Sequence, residues 1–349
     1  MAQQLNNEEG TTLIPPQKSD SRSSMIAASF NFINSIIGSG IIGLPFALNQ
    51  AGLPFGLLLL VVVGFITDYS IILLIKGGNL SGTNSYQSLV RSTFGLPGFL
   101  ILSALQFLYP FIAMISYNIT TGDTLTKVFA RIPGAFICHH NSFLIYGSLE
   151  QPTVAKWAQV THISVCSALI ISAVFAAAGY ATFTGYTQGD IFENYCRDDN
   201  LATFGRFCFG LSIITTFPLE CFVTREVVSN VICRGELSKA EHVAVTVLIV
   251  ALCTALSLAY DCLGVVLELN GALSATPLIF IIPSACYLKL SSGRWFQGEN
   301  LIPAGLILMG FFVMITGLTM TIAYPNDCSH GVEMFYCADA NSTSTVAPV

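Results

Sequence analysis

The stretch from Asn31 to Pro45, NFINSIIGSGIIGLP, places Gly38, Ser39 and Gly40 in the middle of an apolar run, with Gly43 and Pro45 behind them. Each glycine costs a helix about 1 kcal/mol of propensity, and proline removes a backbone donor. At membrane depth such a break is tolerated where the backbone lines a cavity or is buried in protein. The chemistry this offers is ion binding. Freed N–H groups and a helix-end dipole hold an anionic group, and freed carbonyls hold a cation. Asn31, Asn34 and Ser35 precede the break on nearly one helical face, which supports that reading. The alternative is close helix packing through small residues.

Three further sets of residues could do chemistry. Ser212, Thr215, Thr216 and Glu220 lie together beside Pro218, and Ser212, Thr216 and Glu220 share a helical face at i, i+4 and i+8. Their oxygens are hard ligands suited to a small hard cation such as Na⁺, unless the hydroxyls bond back onto their own helix. Cys138-His139-His140-Asn141 brings ionisable groups into a weak apolar segment; such groups face a cavity or rest at the interface. Glu268, flanked by Val265, Val266 and Leu267 and followed by Asn270, needs a partner in an apolar setting. It either ties helices together or serves a proton or gating role. No nucleophile elbow, phosphate-binding loop, HExxH or paired-carboxylate motif stands out, which argues against an enzyme and against a bound cofactor.

The elements that must position these residues are apolar throughout. The chain has 349 residues, 53% hydrophobic and 10% charged, with mean hydropathy +0.68. Soluble proteins average roughly 25% charged residues, so a lipid bilayer is the expected solvent. The net charge of −6 carries no basic run, which argues against nucleic acid as a partner. Spans of about 20 apolar residues fall at about 25–48, 53–75, 97–121, 160–183, 201–223, 242–260, 262–288 and 301–323. A weaker one lies at about 134–150. The expectation is an all-α, polytopic membrane protein with one transmembrane domain over residues 25–324 and two tails.

Orientation follows from the Lys/Arg bias. With the N-terminus inside, ten of the fourteen basic residues fall on the cytoplasmic side. Residues 1–24 are then a polar cytoplasmic tail, without the apolar region of a cleavable signal. Within it, Glu9 to Ile14 fits an acidic dileucine sorting pattern. Residues 325–349 are an extracellular or lumenal tail, where Asn341-Ser342-Thr343 is a glycosylation sequon. The Asn118-Ile119-Thr120 match is expected within the membrane. This orientation requires 134–150 to cross. Of the eleven cysteines, Cys138, Cys166, Cys208, Cys253 and Cys286 read as small buried hydrophobes. Cys328 and Cys337 are candidates for a local disulfide in the outer tail.

Residues 29–52, SFNFINSIIGSGIIGLPFALNQAG, closely resemble the first helix of the sodium-coupled neutral amino acid transporters, within the amino acid/auxin permease superfamily. AFICHHNSF at 135–143, TTFPLECFVTREV at 215–227 and ATPLIFIIPSACYLKL at 275–290 extend the likeness over about 25–340. The resemblance implies a LeuT-like inverted repeat, with substrate and Na⁺ near the midplane between broken helices one and six. It implies Asn34, Thr215 and Thr216 for Na⁺. For a neutral amino acid it implies Gly38, Ser39 and Gly40 with Phe136, Cys138 and His139. The family often carries Pro after that His, where this chain has His140.

The family pattern has eleven helices. Only VFARIPG stands between Lys127 and Ala135, so helices four and five and the start of six are expected to be missing, leaving about nine. The function implied is Na⁺-coupled transport of a neutral amino acid, in the plasma membrane rather than a lysosomal or endosomal one. The alternatives are proton-coupled transport or sensing, and a non-transporting shortened form.

Overall fold

A computed structural model describes residues 25–37, 39–128, 153–196, 198–232, 237–260, 262–291, 293, 295–323 and 334–337. Among them there is no strand. The chain begins with α1 (Met25–Ile37), a 3₁₀ stretch (Ser39–Gly43) and α2 (Leu44–Ala51). The expected break is therefore present. Pro45 falls in the first turn of α2, where its missing N–H leaves no helical bond unmade. Gly52, at φ +80°, turns the chain into α3 (Leu53–Ser81), and Gly82 ends α3 in the left-handed conformation.

The next helix, α4 (Tyr86–Val128), is kinked at Gly95 and carries Pro97 and Pro110. Asn118 lies inside α4. α5 (Val154–Phe183) starts on Thr153, whose hydroxyl accepts from the Lys156 N–H at 3.2 Å. A short α6 (Ile191–Asn194) precedes α7 (Asn200–Ile232). α8 (Lys239–Ala259) opens on a Ser238–Glu241 capping box. α9 (Leu263–Asn270) runs through two π-helical stretches, Gly271–Ala275 and Pro277–Ile281, into α10 (Ile282–Leu290). α11 (Leu301–Ala323) follows.

Seven of these helical runs are long and apolar enough to cross a membrane. With the interrupted α1–α2 they match the eight strong apolar runs of the sequence. The expected crossing at 134–150 lies outside the described residues.

Polar backbone released by the π stretches finds side-chain partners. The Tyr86 hydroxyl donates to the Leu278 carbonyl at 2.7 Å, and Ser70 Oγ donates to the Ile279 carbonyl. Thr276 Oγ1 reaches the Gly271 carbonyl at 2.8 Å. This is how irregular backbone survives inside an apolar bundle.

The core is built around the broken segment. Ile42 packs with Met114, Ile115, Ile191, Cys221 and Val266, from α4, α6, α7 and α9. α1 is held separately: Phe32 lies against Trp157 of α5 with ring centroids 5.4 Å apart, and Ser164 Oγ donates to the Ser29 carbonyl at 3.1 Å. Gly179 of α5 lets Pro45 approach; a Cβ there would stand 2.7 Å from Pro45 Cγ. Outward faces carry exposed Leu58, Phe65, Ile170, Val247 and Phe312, as a lipid-facing surface requires.

Two cysteine expectations change. Cys253 and Cys286 are buried, but Cys166 and Cys208 are exposed, because their helical faces point outward, where a thiol is as acceptable to lipid as an alkyl group. Cys337 pairs with Cys196, 141 residues away, and not with Cys328. Cys262 is also disulfide-bonded. Spacing alone cannot give connectivity.

Candidate functional site

A cavity of about 360 Å³ opens beside the broken helix, with Gly40 and Ile41 on its wall. Ligand clefts begin at roughly 300 Å³. α3 contributes Thr67, and α4 contributes Tyr109, Ser116 and Tyr117. From α7 comes Glu220; Asn270 and Gly271 come from the end of α9 and the start of the π region. The rest is mainly aliphatic, with Ser172 of α5. Irregular backbone thus meets the cavity from two sides, at the 3₁₀ break and at the π turn.

The polar groups here are held in place. Ser116 Oγ donates to the Ala113 carbonyl at 2.7 Å. Asn270 is buried, and its Oδ1 accepts from Ser274 Oγ at 2.5 Å. Glu220 is 2% exposed. At Gly40 a Cβ would meet nothing within 4 Å, so the backbone itself faces open space.

The sequence-derived residues are distributed as follows. Gly40 lines the cavity and Ser39 belongs to the same 3₁₀ stretch. Asn34 lies in α1, one turn before the break, and Thr215 lies in α7. Thr216 is buried in α7 one turn from Glu220, and its Oγ1 donates to the Ser212 carbonyl at 2.9 Å. The back-bonding alternative therefore accounts for its proton, while its oxygen remains an acceptor. Gly38, Phe136, Cys138, His139, His140 and Asn341 lie outside the described residues. Glu268 accepts from Thr321 Oγ1 at 3.3 Å, which ties α9 to α11 as the structural alternative has it.

Sequence reasoning missed Tyr109, Ser116 and Tyr117, because hydroxyls in an apolar helix carry no periodic signal. It also missed the Asp68–His162 pair between α3 and α5, Nδ1 to Oδ2 at 2.6 Å. An isolated aspartate in an apolar run was the available sign.

Comparison with known proteins agrees with this architecture. The family described as transmembrane amino acid transporter protein matches residues 21–134 and 132–323, two pieces that meet at 132–134. A zebrafish (Danio rerio) protein named "Putative sodium-coupled neutral amino acid transporter 11" is 57% identical over 413 residues, covering 93% of this chain and 92% of the relative. The cattle (Bos taurus) protein of that name is 47% identical, covering 98% and 93%. Vacuolar amino acid transporter 2 of Saccharomyces cerevisiae is 28% identical, covering 92% and 87%. The zebrafish alignment is longer than the 349-residue chain, so that relative carries residues this chain lacks. These relatives are transporters, not enzymes. The chain is a multi-pass membrane protein that belongs to the transmembrane amino acid transporter family.

Proposed function

We propose that the chain is a secondary transporter that moves a neutral amino acid together with Na⁺. The observation that carries this reading is Gly40: the broken helix puts bare backbone on the wall of a mainly apolar cavity that carries a few polar groups. Gly38, Ser39 and Gly40 would meet the backbone of the amino acid, and Phe136, Cys138 and His139 would complete the substrate set. Asn34, Thr215 and Thr216 would hold Na⁺. The names of the relatives support Na⁺ coupling and neutral substrates. The fold would be the shortened, LeuT-like inverted repeat, and the two-piece family match supports a deletion near 128–134.

The orientation proposed places residues 1–24 in the cytoplasm and the tail 325–349, with Asn341 as its glycan site, outside or in a lumen. Disulfides persist in oxidising compartments, and both Cys196 and Cys337 then lie on that side. The plasma membrane is the membrane proposed.

The test is ligand-dependent stability of the purified protein, in Na⁺ and in choline, across a panel of neutral amino acids. The reading expects at least one amino acid to raise the melting temperature in Na⁺ and to lose that effect in choline. Equal responses in both salts would remove the coupling.

A further inference from the structure

We infer that Ile191 is a positioning residue for transport: it holds the broken helix in its cavity-lining conformation, and the Cys196–Cys337 disulfide holds Ile191 in place. The inference rests on the transport reading above and adds a residue that does not itself line the cavity.

Ile191 opens α6, a four-residue helix in the connection between α5 and α7, yet it is only 2% exposed. It shares an apolar cluster with Ile42, which belongs to the same 3₁₀ stretch as the cavity-lining Gly40. Its Cδ1 also reaches the crossing of α2 and α5. A Cβ on Gly179 would meet Pro45 Cγ at 2.7 Å and Ile191 Cδ1 at 3.3 Å. The backbone just before Ile191 extends the contact. The Gly189 carbonyl oxygen lies 3.6 Å from where a Gly43 Cβ would stand, and a Cβ on Gly189 would be 3.3 Å from Gly264 Cα of α9. The loop thus bears on the break, on the α2–α5 crossing and on α9. Close-packed interiors have few voids to absorb a shift, so displacement of Ile191 reaches the backbone at Gly40.

The loop is tied firmly enough to transmit a constraint. Asp190 Oδ1 accepts from the Phe192 N–H at 2.8 Å; Asn194 accepts from the Gln188 N–H and donates to the Tyr186 carbonyl, both at 2.8 Å. Buried Arg206 of α7 donates to the Phe192, Tyr195 and Cys196 carbonyls. Cys196 is bonded to Cys337, and the Tyr336 hydroxyl donates to the Asn194 carbonyl at 2.7 Å. Removing the disulfide loosens this loop, and the loosened loop acts on the cavity through Ile191. The two changes are therefore coupled.

The test measures binding of a neutral amino acid that binds wild type, at saturating Na⁺, to purified protein in lipid nanodiscs. Both the dissociation constant and the number of sites per protein are read. The variants are Ile191→Ala, Ile191→Val, the pair Cys196→Ser with Cys337→Ser, and that pair combined with Ile191→Ala. A merely structural residue changes the number of sites, because molecules that fold bind as wild type does; a positioning residue changes the constant. Ile191→Ala is expected to raise the constant at least fivefold, with the site number within twofold of wild type. Val, one methyl group shorter than Ile, takes an intermediate value at least twofold above wild type. The serine pair raises the constant at least threefold alone and less than 1.5-fold on top of Ile191→Ala, since it acts through a side chain already removed. An unchanged constant in Ile191→Ala overturns the proposal, whatever happens to the site number. So does Ile191→Val equal to wild type, which decides the matter where Ala does not fold. A serine pair without effect, or one whose effect multiplies in full on Ile191→Ala, overturns it as well. Wild type that binds no neutral amino acid removes the transport reading, and the proposal with it.

Discussion

Cys196 and Cys337 are joined by a disulfide that closes 141 residues of chain and brings the segment after α11 onto the loop before α7. The contact is more than one bond. The Tyr336 hydroxyl donates to the Asn194 carbonyl at 2.7 Å, and Phe335 meets Tyr186 edge-on with centroids 5.2 Å apart. Four helical runs of membrane-crossing length separate the two cysteines, and an even number of crossings returns the chain to the same side. The loop beneath also touches the broken helix: Ile191 of α6 packs with Ile42 in one apolar cluster. The tail is thus a strap over the loop that covers the break.

Reduction of this strap, or Cys337→Ser, should free residues 334–337 for proteolysis while the bundle stays folded. Closing a loop of ~100 residues is worth up to about 4.7 kcal/mol in a soluble chain. Helices held in lipid already restrict that loop, so a drop of only a few degrees in melting temperature is expected. A melting temperature unchanged within error, with proteolysis unchanged, would show that the aromatic contacts alone hold the strap.

Arg206 should prove essential to the same loop. It is fully buried, and its guanidinium donates to the carbonyls of Phe192 at 2.7 Å, Tyr195 at 2.5 Å and Cys196 at 3.2 Å. Arg206→Ala strands these acceptors, at about 1–3 kcal/mol for each one left buried without a donor. Non-reducing electrophoresis and thermal melts of the variant should show less Cys196–Cys337 bond and a lower midpoint. Arg206→Lys, with one point charge for three carbonyls, should recover only part.

Gly40→Leu should separate folding from binding. Nothing stands within 4 Å of a Cβ there, so the new side chain enters the cavity and not the core. Melting temperature should stay close to wild type, while amino acid binding is lost. Loss of folding would mean that the 3₁₀ stretch needs glycine for its backbone.

Asp68 and His162 should be coupled. Asp68 is mostly buried and His162 half-exposed, with Nδ1 2.6 Å from Oδ2. A double-mutant cycle with Asp68→Asn and His162→Ala should give a coupling of about 1 kcal/mol or more, because either single change leaves one partner in an apolar setting. Additive effects would show that the pair contributes nothing to stability.

The spans and the break were legible because a bilayer forces apolar length, and Gly38-Ser39-Gly40 with Pro45 offends helix propensity in plain view. The run read at 53–75 became Leu53–Ser81, and that at 262–288 became Leu263–Leu290. Its two π stretches were not legible, since their freed carbonyls are satisfied by Tyr86 and Ser70 from other helices. The spacing put Ser212, Thr216 and Glu220 on one face of α7, but of these three Glu220 alone lines the cavity. The Cys196–Cys337 pairing was hidden, because it depends on how α6 and the tail meet after folding. Tyr109 and Tyr117 were hidden for the same kind of reason: only the packed bundle decides which hydroxyls face the cavity.

The most direct measurement of the central claim is uptake by the purified chain in proteoliposomes, with an inward Na⁺ gradient and a panel of radiolabelled neutral amino acids. The account predicts saturable accumulation of at least one amino acid that collapses when choline replaces Na⁺ or when the gradient is dissipated. Folded, reconstituted protein that accumulates none of them above empty liposomes would contradict it.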